Sequence, residues 1–189
     1  MITVLYLPRC GSRFFSEKIA EKNGYQCLGE VFNTRTYDDK IQQNVLIQSL
    51  EHNPNVVFKI GAWDAPKEKI QSYIHNSDYA YVCLRLNFND QLKSLYAATA
   101  QNVDNFHSSI TNISIEYDQH RYEELADWLI TQYQNTVQIA KSTKIKVIAY
   151  ESFATKEAKY ARNFTWDQQP PQIKFNINKI VNEINDLET

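Results

Sequence analysis

The stretch Ile2-Thr-Val-Leu-Tyr-Leu-Pro-Arg-Cys-Gly-Ser-Arg-Phe14 joins a short β-rich run to the start of an amphipathic one. The run ends at Pro8, and residues 14–22 have helical spacing closed by Asn23-Gly24. The stretch therefore predicts a strand, a polar turn and a helix. Backbone N–H groups and the helix dipole attract anions to such a turn.

Strand-like and helical patterns alternate along the rest of the chain. This alternation is typical of a parallel sheet covered by helices, so we predict an α/β fold with a parallel central sheet flanked by helices, forming one domain over 1–189. Segments 104–120 and 161–173 have no clear period, and we predict a surface loop and an irregular segment there. The predicted strands are residues 2–7, 25–28, 56–60, 79–84 and 145–150, and the predicted helices are residues 14–22, 45–50, 67–75, 89–103, 122–141 and 177–187.

Composition excludes several classes of protein. The 189 residues include 20 Lys and Arg against 22 Asp and Glu, which disfavours a polybasic surface for nucleic acid or membrane. Three cysteines form no CxxC pair and four histidines lack zinc-site spacing, so we expect no bound metal. No apolar run approaches the roughly 20 residues of a membrane span, and no signal-peptide pattern is present. We therefore expect a cytoplasmic protein.

The turn after the first predicted strand has the residues of an anion site. Gly11 allows close backbone approach, Ser12 offers a hydroxyl, and Arg9 or Arg13 supplies positive charge. An ordinary strand-to-helix turn with Ser12 as N-cap fits the same residues about equally well. The turn lacks the GxxxxGK[ST] pattern of a Walker A loop, which removes the main support for ATP or GTP chemistry.

Several motifs resemble those of the sulfotransferases that use 3'-phosphoadenosine 5'-phosphosulfate (PAPS). The run 8–12 is similar to their 5'-phosphosulfate loop, Pro-Lys/Arg-Ser-Gly-Ser/Thr. Arg85 at a strand end, followed by Ser94 in the next helix, resembles their pair for the 3'-phosphate. Shorter resemblances are Gly29-Glu-Val-Phe32, Val57-Phe-Lys59 and Val147-Ile-Ala-Tyr-Glu151, all in the family's order.

The resemblance implies a P-loop NTPase-like three-layer sandwich that transfers the sulfuryl group of PAPS, without a metal, to a hydroxyl or amine. The acceptor would be a small molecule or glycan that the sequence does not identify. Glu30 would be the general base, with a pKa raised by burial, and Arg9 and Lys59 would be the catalytic cations. The residues implied in PAPS binding are Arg9, Cys10, Gly11, Ser12, Arg13, Phe14, Arg85 and Ser94.

The sequence also departs from the family pattern. Gly61 stands where the cytosolic branch has its catalytic His, two residues after the Lys, which leaves Glu30 as the base. Cys10 and Arg13 replace a common Ser and a common Thr. The C-terminal Arg-Lys-Gly motif is missing, and Lys174 is a partial substitute for it.

Other interpretations of the same residues stay open. Residues 2–13 also resemble the strand and loop of a monothiol glutaredoxin, which would make Cys10 a redox thiol of a thioredoxin-like protein. Against this, the chain is nearly twice the usual size of that fold and no Thr-Val-Pro motif is present. A non-catalytic nucleotide-binding module is a further alternative. Taken singly, Glu30 fits a surface carboxylate paired with Arg35, and Lys59 a strand-end lysine extended to solvent.

The acceptor site is expected in the regions where the resemblance fades. These are the loop 104–120, the segment after Glu30, and the aromatic residues Tyr160, Phe164 and Trp166.

Overall fold

The first predicted strand forms a fully buried strand in the middle of a five-stranded sheet. The computed structural model describes residues 1–33, 40–100, 112–141, 143–153 and 163–185. The strands are β1 (Ile2–Tyr6), β2 (Gln26–Gly29), β3 (Val56–Gly61), β4 (Tyr79–Leu84), β5 (Asn112–Ile115), β6 (Lys146–Ala149) and β7 (Asn163–Trp166). The main sheet has the order β2-β3-β1-β4-β6, and all of its neighbouring strands are parallel.

Helices connect these strands as the alternating pattern predicts. They are α1 (Ser12–Asn23), α2 (Lys40–His52), α3 (Lys67–His75), α4 (Phe88–Ala100), α5 (Gln119–Ala140), α6 (Tyr150–Phe153) and α7 (Ile177–Asn185). The predicted α/β class with a parallel central sheet flanked by helices is therefore confirmed. Residues 101–103 of the predicted fourth helix and 186–187 of the last lie outside the described ranges.

Alternate side chains of the central strands point to opposite faces of the sheet. On one face, Val4 and Val57 pack with Phe15 and Ile19 of α1. On the other face, the larger core combines the remaining strand positions with buried residues of α3, α4, α5 and α7. Helices therefore cover both faces of the sheet in a three-layer arrangement.

The connections leave a crevice where β1 and β3 end. These two strands are neighbours, but β1 leads into α1 on one face whereas β3 leads into α3 on the other. Helices that leave adjacent parallel strands toward opposite faces open a crevice at the carboxyl ends, which is the usual place for ligands in such sheets. The predicted anion turn lies at this edge.

The structure overturns two parts of the sequence prediction. Residues 104–111 of the predicted loop 104–120 lie outside the described ranges, but residues 112–115 form β5, which pairs in parallel with β7 inside the segment predicted to be irregular. Each strand has only four residues and needs a partner about 50 positions away, so neither gives a clear local signal. In addition, β6 ends at Ala149, and Tyr150 begins a helix instead of ending the strand.

Candidate functional site

The turn between β1 and α1 has an unusual backbone. Arg9 has φ 62° and Gly11 has φ 74°, both in the left-handed region that is costly for a residue with a Cβ such as Arg9. Gly11 is the N-cap of α1, and no side-chain hydrogen bond caps that helix. Ser12 is the buried first residue of the helix, so its alternative role as N-cap is wrong. Non-glycine residues held in this region are concentrated at functional sites.

Gln91 ties this turn to the helices beneath it. Its side chain is completely buried in α4, and its amide Nε2 donates to the carbonyl oxygen of Pro8 at 2.7 Å. Its Oε1 lies 2.5 Å from the hydroxyl of Tyr133, which is also 3.0 Å from the carbonyl oxygen of Arg85. The sequence analysis missed Gln91. A glutamine at a buried position of an amphipathic helix was the available signal.

Two of the predicted PAPS-binding residues are in direct contact. Arg9 Nε donates to Ser94 Oγ at 3.1 Å, so the turn after β1 meets the middle of α4 although 85 positions separate the two residues. Both side chains are half-buried. The resemblance pairs Ser94 with Arg85 as ligands of the 3'-phosphate, whereas in the structure the side chain of Ser94 is bonded to Arg9.

Arg85 follows β4 and lies near the same helix. Its Nη2 is 4.0 Å from Asp90 Oδ2, one turn before Ser94. Its Nε is buried and, within the described residues, has no hydrogen-bond partner. A buried cationic donor without a partner is costly, and an anion would satisfy it.

The ring of Tyr150 covers the turn beside Arg85. The guanidinium carbon of Arg85 lies 5.1 Å from the centre of this ring. The ring also lies so close to Gly11 that a Cβ at that position would overlap it, and Phe153 approaches the same glycine. Two features therefore require a glycine at position 11: its positive φ and the Tyr150 ring that lies against it.

A carboxylate occupies the start of α4 next to Arg85. The two oxygens of Glu151 accept from the backbone N–H of Leu86 at 3.1 and 3.0 Å, and Oε1 also accepts from that of Asn87 at 3.3 Å. These N–H groups precede the helix, where negative charge is favoured. An anion is thus already bound to the backbone immediately after Arg85.

Glu30, which follows β2, forms an ion pair with Lys59 inside β3. Lys59 Nζ donates to Glu30 Oε1 at 2.8 Å, and their side chains are only 5% and 26% exposed. Asn33 Nδ2 donates to the second carboxylate oxygen at 2.8 Å. The Lys59 ammonium also lies 5.0 Å from the centre of the Tyr6 ring. Lys59 is therefore a buried, paired cation and not a strand-end lysine extended into solvent.

The electrostatics of Glu30 differ from the sequence expectation. Burial acts to raise the pKa of Glu30, but the charge and hydrogen bond of Lys59, with hydrogen bonds from Asn33 and Tyr6, lower it overall. The expectation of a raised pKa is therefore wrong in this state. The ion pair keeps Glu30 ionised and makes it a weak base while Lys59 remains its partner.

Asp64 is a second carboxyl group of this cluster, which the sequence analysis missed. It lies in the turn after β3, and Asp64 Oδ2 accepts from the N–H of Gly61 at 2.7 Å. Burial, with the nearby negative charge of Glu30, raises its pKa to about 6 against the effects of Gly61 and Lys59. Burial raises the pKa of Tyr6, and the negative charges of Glu30 and Asp64 raise it further.

The other predicted binding residues have different surroundings. Cys10 is completely buried, and Cys83 Sγ donates to its carbonyl oxygen at 3.3 Å. Arg13 is exposed on α1 and pairs with Glu17 at 2.9 Å. Phe14 is half-buried and stacks on Phe153 with 6.3 Å between ring centres. Cys10 therefore lies beneath the turn. Because its thiol is fully buried, it is poorly placed to react with another molecule.

The regions expected to hold the acceptor are only partly described. Tyr160 and most of the segment after Asn33 lie outside the described ranges, as does the side chain of Phe164. Trp166 packs on Tyr96, with 5.7 Å between ring centres. A cavity of about 670 Å³ lies beside Tyr96, between the end of α4 and the start of α5. Residues 114–120 of the loop expected to hold the acceptor line this cavity, whereas none of the predicted catalytic or PAPS-binding residues is among its described lining residues.

No protein-family model matches this chain, and no similar sequence is found among curated proteins. Within the described ranges, no cluster of three or more His, Cys, Asp or Glu side chains could hold a metal ion. None of the helices in those ranges is long and apolar enough to cross a membrane.

Proposed function

We propose that the protein is a PAPS-dependent sulfotransferase with a P-loop NTPase-like three-layer fold. The observation that carries the proposal is the meeting of the turn after β1 with α4, through the bond of Arg9 to Ser94, beside the unpartnered buried Nε of Arg85. Hydrogen-bond donors from three separate elements would then face the anionic groups of PAPS. Charge-assisted hydrogen bonds of this kind contribute about 1.5 to 3 kcal/mol each.

Two anionic groups of the donor need two separate positions. Arg85 and Ser94 would take the 3'-phosphate. The backbone of residues 9–12 would take the 5'-phosphosulfate, with Arg9 between the two positions. Tyr150 closes one side of the turn, so the donor would enter beside this ring.

The Glu30 and Lys59 pair supplies the groups that sulfuryl transfer requires. The acceptor oxygen would form a bond to sulfur while the bond from sulfur to the bridging phosphate oxygen breaks. The acceptor proton would go to Glu30, and the negative charge on the leaving oxygen would be stabilised by Arg9 and Lys59. No metal is needed for these steps.

Lys59 would link donor binding to the strength of the base. In the structure it is held by Glu30 and lies close enough to the turn to influence Cys10 electrostatically. A phosphosulfate bound at the turn would compete for the Lys59 ammonium. When Lys59 turns toward the donor, the main group that lowers the pKa of Glu30 is withdrawn, and Glu30 becomes a stronger base.

Thermal stability with nucleotides tests the donor site. We expect 3'-phosphoadenosine 5'-phosphate (PAP) to stabilise the protein without magnesium, whereas AMP and ATP do not. A ligand at 100 times its dissociation constant adds about 2.7 kcal/mol, a shift of roughly 5 to 10 °C for a chain of this size. Arg85→Ala should abolish the shift.

Arg121→Ala is the matched control. Arg121 also stacks on a tyrosine, with its guanidinium carbon 5.9 Å from the centre of the Tyr96 ring, but it belongs to α5. This variant should keep the full shift with PAP. If PAP gives no shift, or if both arginine variants lose it equally, the PAPS site is refuted. The reactivity of Cys10 would then test the thiol-redox alternative.

A further inference from the structure

Two tryptophan side chains lie together at the surface, one in the turn after β3 and the other on α5. The ring centres of Trp63 and Trp128 are 5.4 Å apart, and the ring planes are inclined by 55°. The two residues are 36% and 37% exposed. Tryptophan is highly buried on average, so two adjacent exposed indole rings indicate a binding surface.

The ring of Trp63 is held in place by the end of β3 and by β1. A Cβ added to Gly61 would overlap three atoms of the indole, so the ring lies directly against this glycine. The Tyr6 ring meets it at 75°, with 5.3 Å between ring centres. A ring that is already held on two sides loses little conformational freedom when a ligand stacks on it, which favours binding.

Tyr6 connects the tryptophan pair to the proposed base. Besides its contact with Trp63, the Tyr6 ring lies 5.0 Å from the Lys59 ammonium. Its hydroxyl donates a hydrogen bond to the Glu30 carboxylate. A molecule that lies on the tryptophan pair is therefore next to the side chain that contacts both members of the ion pair.

Polar groups accompany the two rings. The Asp64 carboxylate follows Trp63 in the same turn and is held at 2.7 Å by a backbone N–H at the end of β3. A carboxylate offers about four acceptor positions, so it can also accept from hydroxyl groups of a ligand. A cavity of about 220 Å³ lies between this turn and α5, and Lys67, Asn135 and Gln138 supply donors and acceptors there. Such a combination of apolar surface and polar groups is typical of small-molecule sites.

The shape and chemistry of this surface favour a sugar over a phenol. Because the indole planes are inclined by 55°, a flat ring can stack on only one of them, whereas the C–H groups of a puckered pyranose can contact both. A pyranose also carries several hydroxyl groups for the carboxylate and the cavity. A phenol offers only one hydroxyl, which the reaction itself would consume.

We propose that Trp63 and Trp128 form the acceptor platform and that the acceptor is a pyranose sugar, an inference that rests on the proposed sulfuryl transfer. The sugar would lie on the two indole rings, with hydroxyl groups bonded to Asp64 and to the side chains of the cavity. A hydroxyl on the side of Tyr6 would give its proton to Glu30 and receive the sulfuryl group. Both tryptophans lie outside the regions in which the sequence analysis places the acceptor.

Sugar binding in the absence of the donor tests the platform. The probe is a printed array of oligosaccharides built from hexose, hexosamine and uronic acid units, followed by a fluorescence titration with the sugar that binds best. We expect the wild type to bind and its tryptophan emission to change. Trp128→Ala removes an exposed ring and should weaken binding roughly tenfold. Trp63→Leu should do the same while it keeps an apolar side chain against Gly61.

Trp166→Phe is the matched control. Trp166 belongs to β7 and packs on Tyr96, away from the tryptophan pair, so this variant should bind the sugar as the wild type does. All three variants should keep the thermal shift with PAP, because none of the three rings contacts the turn after β1 in the proposed donor site.

Release of PAP from PAPS tests the acceptor role itself. The sugar that binds should raise the rate of release at least tenfold over water alone, whereas p-nitrophenol should not. In Trp128→Ala the KM for this sugar should rise with little change in kcat, because the ring holds the acceptor but does not touch the reacting atoms.

The outcomes distinguish this inference from the function on which it rests. The sugar platform is refuted if the wild type binds no sugar, if Trp128→Ala and Trp63→Leu bind as tightly as Trp166→Phe, or if p-nitrophenol is the better acceptor. The sulfotransferase proposal would then stand on PAP binding. If sugar binds through the two tryptophans but no PAP is released from PAPS, the proposed function fails, and the acceptor role fails with it.

Discussion

Replacement of Lys59 by Met tests the central ion pair without any ligand. Lys59 and Glu30 are 2.8 Å apart, and a pair at that distance attracts by about 6 kcal/mol at an effective dielectric constant of 20. Much of this attraction is offset by the free-energy cost of removing both charges from water. Loss of one partner of a buried pair costs about 3 to 5 kcal/mol. Glu30 is 26% exposed and keeps its hydrogen bond from Asn33. We therefore expect Lys59→Met to lower the free energy of unfolding by about 3 kcal/mol at pH 7, the lower end of this range.

The cost of Lys59→Met should depend on pH in a defined direction. In the wild type the pKa of Glu30 is lowered, so its stabilisation is present above the unfolded-state pKa and is lost as pH falls through the folded one. Without Lys59, burial raises the pKa of Glu30, and the protonated form relieves the unpaired charge at acidic pH. The cost should therefore fall from about 3 kcal/mol at pH 7 to about 1 kcal/mol at pH 4.

Urea denaturation at pH 4 and pH 7 measures the free energy of unfolding of the wild type and of Lys59→Met. Glu30→Gln, and the variant that carries both substitutions, complete a double-mutant cycle. At this chain length, 3 kcal/mol corresponds to a loss of roughly 6 to 12 °C in Tm. The double variant should be much less destabilised than the sum of the single variants. Additive costs, or an equal cost of Lys59→Met at pH 4 and pH 7, would refute this account of the pair.

The remaining predictions concern the turn, the second carboxyl group and the thiols. Gly11→Ala should destabilise by about 2 to 4 kcal/mol in thermal melts, because the residue has φ 74° and a Cβ would overlap the ring above it. The control Gly24→Ala, with φ 66° and open space, should cost only about 1 kcal/mol, and equal costs would contradict the overlap. Because the pKa of Asp64 is raised to about 6, its contribution to the free energy of unfolding falls as pH rises from about 4 to about 6. Asp64→Asn should remove this fall, which we expect to be about 1 to 2 kcal/mol. In a thiol-labelling time course at pH 8, the half-buried Cys27 should react first and the fully buried Cys10 only on unfolding; early labelling of Cys10 would favour the redox alternative.

Local pattern was sufficient for the main sheet and most of its helices. Each of the five central strands is a short apolar run next to a turn signal, and each long helix has a repeating apolar face. These signals lie within one segment, so no knowledge of distant partners is required. β5 and β7 are different, because each lies in a stretch of sequence without a clear period and pairs with the other in a separate two-stranded sheet.

The candidate site was only partly accessible to the same reasoning. Arg9, Gly11 and Arg85 could be proposed because they follow strands of a parallel sheet, and Ser94 because its place in the helix after Arg85 resembles a sulfotransferase motif. Gln91 lies in the first turn of α4, where a glutamine at a buried helix position indicates burial but does not identify its partners. Its role depends on contacts that only the packing of α4 against the turn creates.

The sequence by itself determined the α/β class, the parallel order of elements and the edge of the sheet at which polar residues would gather. It did so because periodicity, glycines and chain order are local properties. Only the tertiary structure decided that Lys59 is paired with Glu30, that Asp64 joins them, and that Arg9 meets Ser94. Burial and charge proximity set these relations, and both depend on which distant segments the fold brings together.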